Sequence, residues 1–132
     1  MPQANLSRTP ETIDTSADSV VIALLLEDLP GGRTLDVTGV TDEVIKAGHV
    51  IIEETATEVL KPLGVTDGAY DALPAGHTYK GVLVGSIPTA RPMASIMVRG
   101  RVNPAAAVDA QGLPAYPAGA LTALPLIRFV KD

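Results

Sequence analysis

The 132 residues suffice for one ordinary domain able to bury roughly two-thirds of its unfolded surface, and a second independent core is not expected. Twelve glycines and eleven prolines call for turns, loops and bent strands, and argue against long helices. The formal charge of −5 repels phosphate backbones and anionic membranes. The aromatic set of Tyr70, Tyr79, Tyr116 and Phe129 gives few platforms for stacking bases, so neither nucleic acid nor membrane is an expected partner. With no cysteine, disulfide frameworks, thiolate catalysis and cysteine-ligated metals are excluded.

In chain order, residues 1–19 mix Pro2, Pro10, Ser, Thr and charges with scattered apolar residues, and read as an extended or disordered arm, either a free tail or a segment that orders on another chain. Residues 20–132 are read as the β-rich domain. Ser19–Leu26 (SVVIALLL) is a β-branched apolar run ended by a Pro-Gly-Gly turn, which predicts a buried strand. Arg33–Val37 alternates like a short strand. Val40–Lys46 suits one helical turn, with Thr41 or Asp42 as cap and Gly48 as its end.

His49–Glu54 and Thr55–Lys61 read as two strands or one bent strand, stopped at Pro62. Val65–His77 reads as a surface connection carrying an Asp67-Gly68 turn. Tyr79–Ile87 is apolar but holds Gly81 and Gly85, which predicts a bulge, a bend or a close backbone approach. Ala94–Val102 alternates with period two, placing Ala94, Ile96, Val98 and Val102 inside and Ser95, Met97, Arg99 and Arg101 outside. Asn103-Pro104 opens a short helix through Ala110. Gly112, Pro114, Pro117 and Gly119 break the chain, and Leu124–Val130 supplies a closing strand. The expected fold is mostly β: a small curved sheet or barrel-like domain with one or two short helices.

Chemical motifs are sparse. His49 and His77 stand in unrelated contexts with no i, i+4 ligand partner, so no metal site is assigned. Gly85-Ser86 lacks the second glycine of a nucleophile elbow. Glu53, Glu54 and Glu58 alternate with apolar residues, the pattern of a solvated sheet face rather than a paired-acid site. Pro30-Gly31-Gly32 leads into a strand and has no P-loop lysine. Neither catalytic residues nor a cofactor are predicted.

Glu58-Val59-Leu60-Lys61 resembles the Glu-x-Met-Lys hairpin of biotinyl carrier domains, which would make Lys61 a modified lysine. Pro62 after the lysine, and Gly48 as the single glycine around the preceding strand where the family has a pair, depart from that pattern. A lysine blunting a sheet edge is the alternative reading of Lys61.

A wider likeness joins Ala47-Gly48-His49-Val50-Ile51, Lys61-Pro62-Leu63-Gly64, Tyr79–Val84, Ala94–Asn103 and Leu126–Val130 in that order. Across roughly residues 45 to 130 the chain resembles the head-decoration proteins of tailed bacteriophages, including the lambda-type members. That resemblance implies a non-enzymatic, oligomeric structural protein on the outer capsid surface, assembled in the host cytoplasm. It would be a cement protein, the base of a head fiber or an adhesion element on the capsid. The implied partners are the major capsid protein, further copies of the chain as a dimer or trimer, and other head-fiber proteins. It also implies an amino-terminal arm gripping the shell, for which Leu6, Arg8 and Ile13 are the candidate contacts, with Leu6 and Ile13 alternating along an added strand. The Pro-rich stretch from Pro114 to Pro125 has no counterpart in the family pattern.

Overall fold

The computed structural model describes residues 13–30 and 32–131. The fold is mostly β, built on one sheet whose strands run in the order β1 (Ile22–Asp28), β11 (Ile96–Val102), β8 (His77–Leu83), β4 (Val50–Glu54) and β5 (Leu60–Pro62). Neighbours along this path are antiparallel. A sixth strand, β12 (Ile127–Phe129), runs parallel to β11 at Gly100–Val102, beyond the point where β8 leaves it at Met97. Three two-stranded pieces surround the sheet: β2 (Arg33–Thr34) with β10 (Met93–Ala94), β3 (Val44–Ile45) with β9 (Ile87–Pro88), and β6 (Val65–Thr66) with β7 (Ala69–Tyr70). The sheet stays open and does not close into a barrel. Three short helices complete the described chain: α1 (Asp18–Val21), α2 (Pro104–Asp109) and α3 (Ala118–Ala123).

Both faces of the sheet are covered. On one face Val82, Met97, Val102 and Ile127 pack with Val21 of α1, Ala107 of α2 and Leu124 beyond α3. On the other, Ile51, Leu83 and Ile96 meet Leu35, Ile45, Leu60 and Ala94. Val50, Ile52 and Leu63 form a third group under Tyr70, Tyr79 and Tyr116. Double coverage explains the unbroken Val50-Ile51-Ile52 run, since a strand wet on one face would alternate. Each of these fully buried side chains contributes about 1.5–3 kcal/mol of apolar transfer.

Local signals placed several elements correctly. Asn103 caps α2, accepting a hydrogen bond at Oδ1 from the Ala106 amide at 3.1 Å, with Pro104 in the first turn. Asp67 and Gly68 take φ of +52° and +75°, the left-handed pair that closes the tight β6–β7 hairpin. The 48–61 region resolves as two strands, with the β4–β5 turn closed by Glu58 N–H to Glu54 O at 2.8 Å. At Gly81 the expected bulge and close approach coincide. The β4–β8 register slips between Ile51 and Ile52, leaving Lys80 as the extra residue, and Gly81 packs directly on the Met97 carbonyl.

Four expectations are corrected. Ser19–Leu26 is not one buried strand: Ser19, Val20 and Val21 complete α1, and the strand that follows leaves Leu24, Leu25 and Leu26 exposed. Val40–Lys46 forms no helical turn. Val44 and Ile45 pair with β9 instead, and Thr89 Oγ1 donates to the Asp42 and Glu43 carbonyls that a helix would have used. Met97 is fully buried rather than on a wet face, because Val98 is an extra residue in the pairing with β1 and shifts the alternation. The Pro114–Pro125 stretch contains α3, whose start at Pro117 and Ala118 uses the preset proline φ where a helix needs no amide donor.

Candidate functional site

The residues weighed for chemistry do not converge. Glu53 Oε2 lies 3.6 Å from Lys80 Nζ on the neighbouring strand, while Glu58 is exposed in the β4–β5 turn with φ of +59°. Lys61 stands inside β5 opposite Ile52, and the hairpin tip is residues 55–59, so the lysine lacks the exposed turn position that a carrier domain requires. His77 bonds through Nδ1 to the Ala75 carbonyl at 2.9 Å. Among the described residues no three His, Asp or Glu side chains gather as a metal site.

Ser86 is locked by structure. Its hydroxyl donates to Asp18 Oδ1 at 2.7 Å and accepts from the Ala47 amide at 3.0 Å, and its own amide donates to Asp18 Oδ2 at 2.8 Å. Gln111 Nε2 adds a third bond to the same carboxylate at 2.8 Å. Asp18 therefore ties α1 to the β8–β9 connection and to the end of α2. Sequence inspection missed this junction, because its members are 68 and 93 residues apart and carry no shared motif.

A groove of about 760 Å³ lies beside this junction, lined by Lys46, His49, Leu63, Asp71, Gln111 and Leu113 among others. His49 Nε2 donates to the Leu63 carbonyl at 2.8 Å, and the ring meets Tyr70 edge-on at 5.3 Å. Tyr70 stacks on Tyr116 at 6.3 Å, and Tyr116 meets Phe129 at 4.9 Å, so a row of rings links the residue preceding β4 to β7 and β12. The Tyr116 hydroxyl donates to the Gly48 carbonyl at 2.6 Å. Burial pushes both tyrosine hydroxyls above their ordinary range, which makes them packing groups rather than acids at neutral pH.

Burial also lowers the His49 pKa from the ordinary 6.5, outweighing the Leu63 hydrogen bond and the Asp42 charge, which act the other way. The folded ring stays neutral where the unfolded ring takes up a proton. Stability is thus fully present above 6.5 and declines as pH falls from there through the lower folded value. Thermal melts between about pH 7 and pH 5 should show this decline, and His49→Gln, which keeps a donor for Leu63, should flatten it. Equal slopes for parent and variant would assign the acid sensitivity elsewhere.

Of the expected arm contacts, Leu6 and Arg8 lie outside the described residues. Ile13 is half-buried, and next to it Lys46 Nζ donates to the Asp14 carbonyl at 3.1 Å, while Asp14 Oδ1 accepts from Ser16. The last part of the expected arm is therefore moored on the domain, and α1 belongs to the fold.

The most exposed apolar feature of the sheet is β1. Leu24, Leu25 and Leu26 are 48%, 42% and 57% exposed. Against β11 the strand carries Ala23 and Leu26 as extra residues, and these bulges break the alternation that would have hidden some of the leucines. At the opposite end of the sheet the Asp36 amide covers β5 by bonding to the Leu60 carbonyl at 2.8 Å, leaving β1 as the open edge among the described residues. Arg101 pairs in register with Leu24 on one side and Arg128 on the other, and Arg99 pairs with Glu27. A basic strip thus crosses the sheet face opposite the helices, on a chain of net negative charge.

No protein-family model, curated protein or solved structure matches this chain. No helix among the described residues is long and apolar enough to cross a membrane.

Proposed function

We propose that this chain is a non-enzymatic structural protein of a tailed-phage virion, a decoration protein that binds the outer capsid surface and stabilises the shell. The observation that carries this reading is spatial. The five stretches resembling head-decoration proteins are scattered in sequence, yet they supply the start of β4, the end of β5, most of β8, all of β11 and all of β12, which are neighbours in one sheet. The likeness thus touches five neighbouring strands of one sheet and is not that of a single short motif. The exposed leucine edge supports it, since such an edge is stabilised when another protein covers it.

In this reading the major capsid protein is the partner, copies of the chain associate, and residues 1–12 with Ile13 at their root grip the shell. The test is cosedimentation with capsid shells assembled from the major capsid protein encoded beside the gene. The full chain is expected to pellet with the shells and to raise their melting temperature. Absence of any pelleting overturns the decoration role. A variant lacking residues 1–12 is expected to lose most of its binding, and unchanged binding would remove the arm from the proposal while leaving the role intact.

A further inference from the structure

We infer that the groove beside the Asp18 junction docks an extended, arginine-bearing segment of a partner protein. The inference deepens the decoration reading and rests on it only for the partner's identity, which there is a capsid protein. The groove lining carries three carboxylates, Asp42, Glu43 and Asp71, against one amine, Lys46. The amine is already engaged, donating to the Asp14 carbonyl at 3.1 Å. Among the described residues the three carboxylates take no hydrogen bond and no ion pair.

Local packing holds these acceptors in place. The Asp71 amide donates to the Gly64 carbonyl at 2.8 Å, and Asp71 Oδ2 fills the space where a Cβ on Gly64 would stand, so only glycine leaves room for the carboxylate there. One residue earlier, the Leu63 carbonyl receives His49 Nε2, which leaves Nδ1 of the neutral ring as an acceptor. Asp42 lies near enough for its charge to act on that ring. The groove thus gathers acceptors from three parts of the chain and lacks a cation to answer them.

The form of the lining selects the occupant. Among the described residues no three His, Asp or Glu side chains converge as a metal site, so the negative charge is spread along the groove instead of focused on one ion. A guanidinium suits such a spread, because it presents five N–H donors in a planar fork and no acceptor. The volume of about 760 Å³ exceeds what one side chain fills. Val40 and Val44, half-buried, and Val65, 45% exposed, offer a wall to apolar neighbours of the arginine. The chain's own residues 1–12 hold one base, Arg8, and one acid, Glu11, so their side chains bring no net charge to the acidic lining. A partner segment with unopposed arginine is the complementary match.

The probe is a short acetylated and amidated peptide alternating arginine and valine, titrated into the isotopically labelled full chain and followed by amide shifts. Saturable shifts are expected at Lys46, His49, Gly64 and Asp71, and the same peptide with glutamate in place of arginine should cause none. Asp42→Asn combined with Asp71→Asn, both at exposed positions, should weaken binding at least about tenfold with an unchanged far-ultraviolet spectrum, since two charged acceptors are lost. Glu27→Gln removes a charge from β1 and should leave binding unchanged. No saturable shift up to the peptide's solubility limit overturns the inference. So do shifts centred on another face, equal binding of the glutamate peptide, or a loss in Glu27→Gln matching that of the groove variant. A variant lacking residues 1–12 that binds the peptide about tenfold tighter would give the groove to the chain's own amino terminus and overturn the inference as well. These measurements use the isolated chain, so their failure leaves capsid binding standing, and failure to pellet with shells leaves the groove's peptide binding standing.

Discussion

Gly81→Ala is expected to lower unfolding free energy by about 3 kcal/mol or more, the upper end of what overpacking a core costs. A Cβ at this position would overlap the Met97 carbonyl oxygen and come within 3.1 Å of Ile96 Cγ2. The obstacle is the backbone of β11, which is paired on both edges and has nowhere to retreat. Relief would require β8 to separate from β11 at Met97–Val82, exposing Val82 and Leu83, both fully buried. Gly85→Ala is the matched control, because a Cβ there meets nothing within 4 Å and its φ is not in the left-handed region. That variant should be neutral or stabilised by a few tenths of a kcal/mol through the unfolded state. Urea midpoints for the two proteins decide the matter, and coincident midpoints would mean that the strands do not approach as closely as described.

Asp18→Ala should cost about 2–4 kcal/mol. The substitution removes the acceptor for Ser86 N–H, Ser86 O–H and Gln111 Nε2, and hydrogen bonds to a charged group contribute about 1.5–3 kcal/mol each before water compensates in this half-buried setting. Because the same serine hydroxyl accepts from Ala47, amide exchange should quicken at both Ser86 and Ala47, residues distant in sequence from the substitution. Asp14→Ala offers the contrast. Among the described residues Asp14 bonds through its side chain only to Ser16, two residues away on the surface, while its contact with Lys46 uses the main-chain oxygen, so a change under about 0.5 kcal/mol is expected. Similar losses for the two aspartates would show that the Asp18 junction does not hold the fold together.

What the sequence disclosed was local in origin. Asn103-Pro104 signals a helix start wherever it stands, Asp67-Gly68 signals a turn, though the short β6–β7 pairing on either side of it was read as loop, and a glycine inside the apolar Tyr79–Ile87 run signals a bulge. Each is fixed by backbone preference within a few residues. The errors share a different origin. Whether Leu24–Leu26 are inside or outside depends on how many residues β1 spends against β11, a register set by a strand about seventy residues away. The same bulged pairing hid Met97. Val40–Lys46 has caps suited to a helix, but pairing with β9 overrode them. The candidate site followed suit: the scattered likeness and the missing chemical motifs were readable, whereas the open edge, the arginine strip and the Asp18 junction exist only once the strands are assembled.

The placement of β11 between β1 on one side and β12 on the other has a consequence for how the polypeptide is made. The strand at the middle of this end of the sheet is flanked by strands that lie far before and far after it in chain order. A nascent chain cannot complete the sheet until residues 127–129 have emerged, and the leucines of Leu24–Leu26 must wait in water through most of synthesis. Long-range closure of this kind slows folding and favours a cooperative, all-at-once transition once Ile127–Phe129 are available. A premature stop anywhere before Ile127 should therefore yield an aggregating fragment rather than a smaller stable domain.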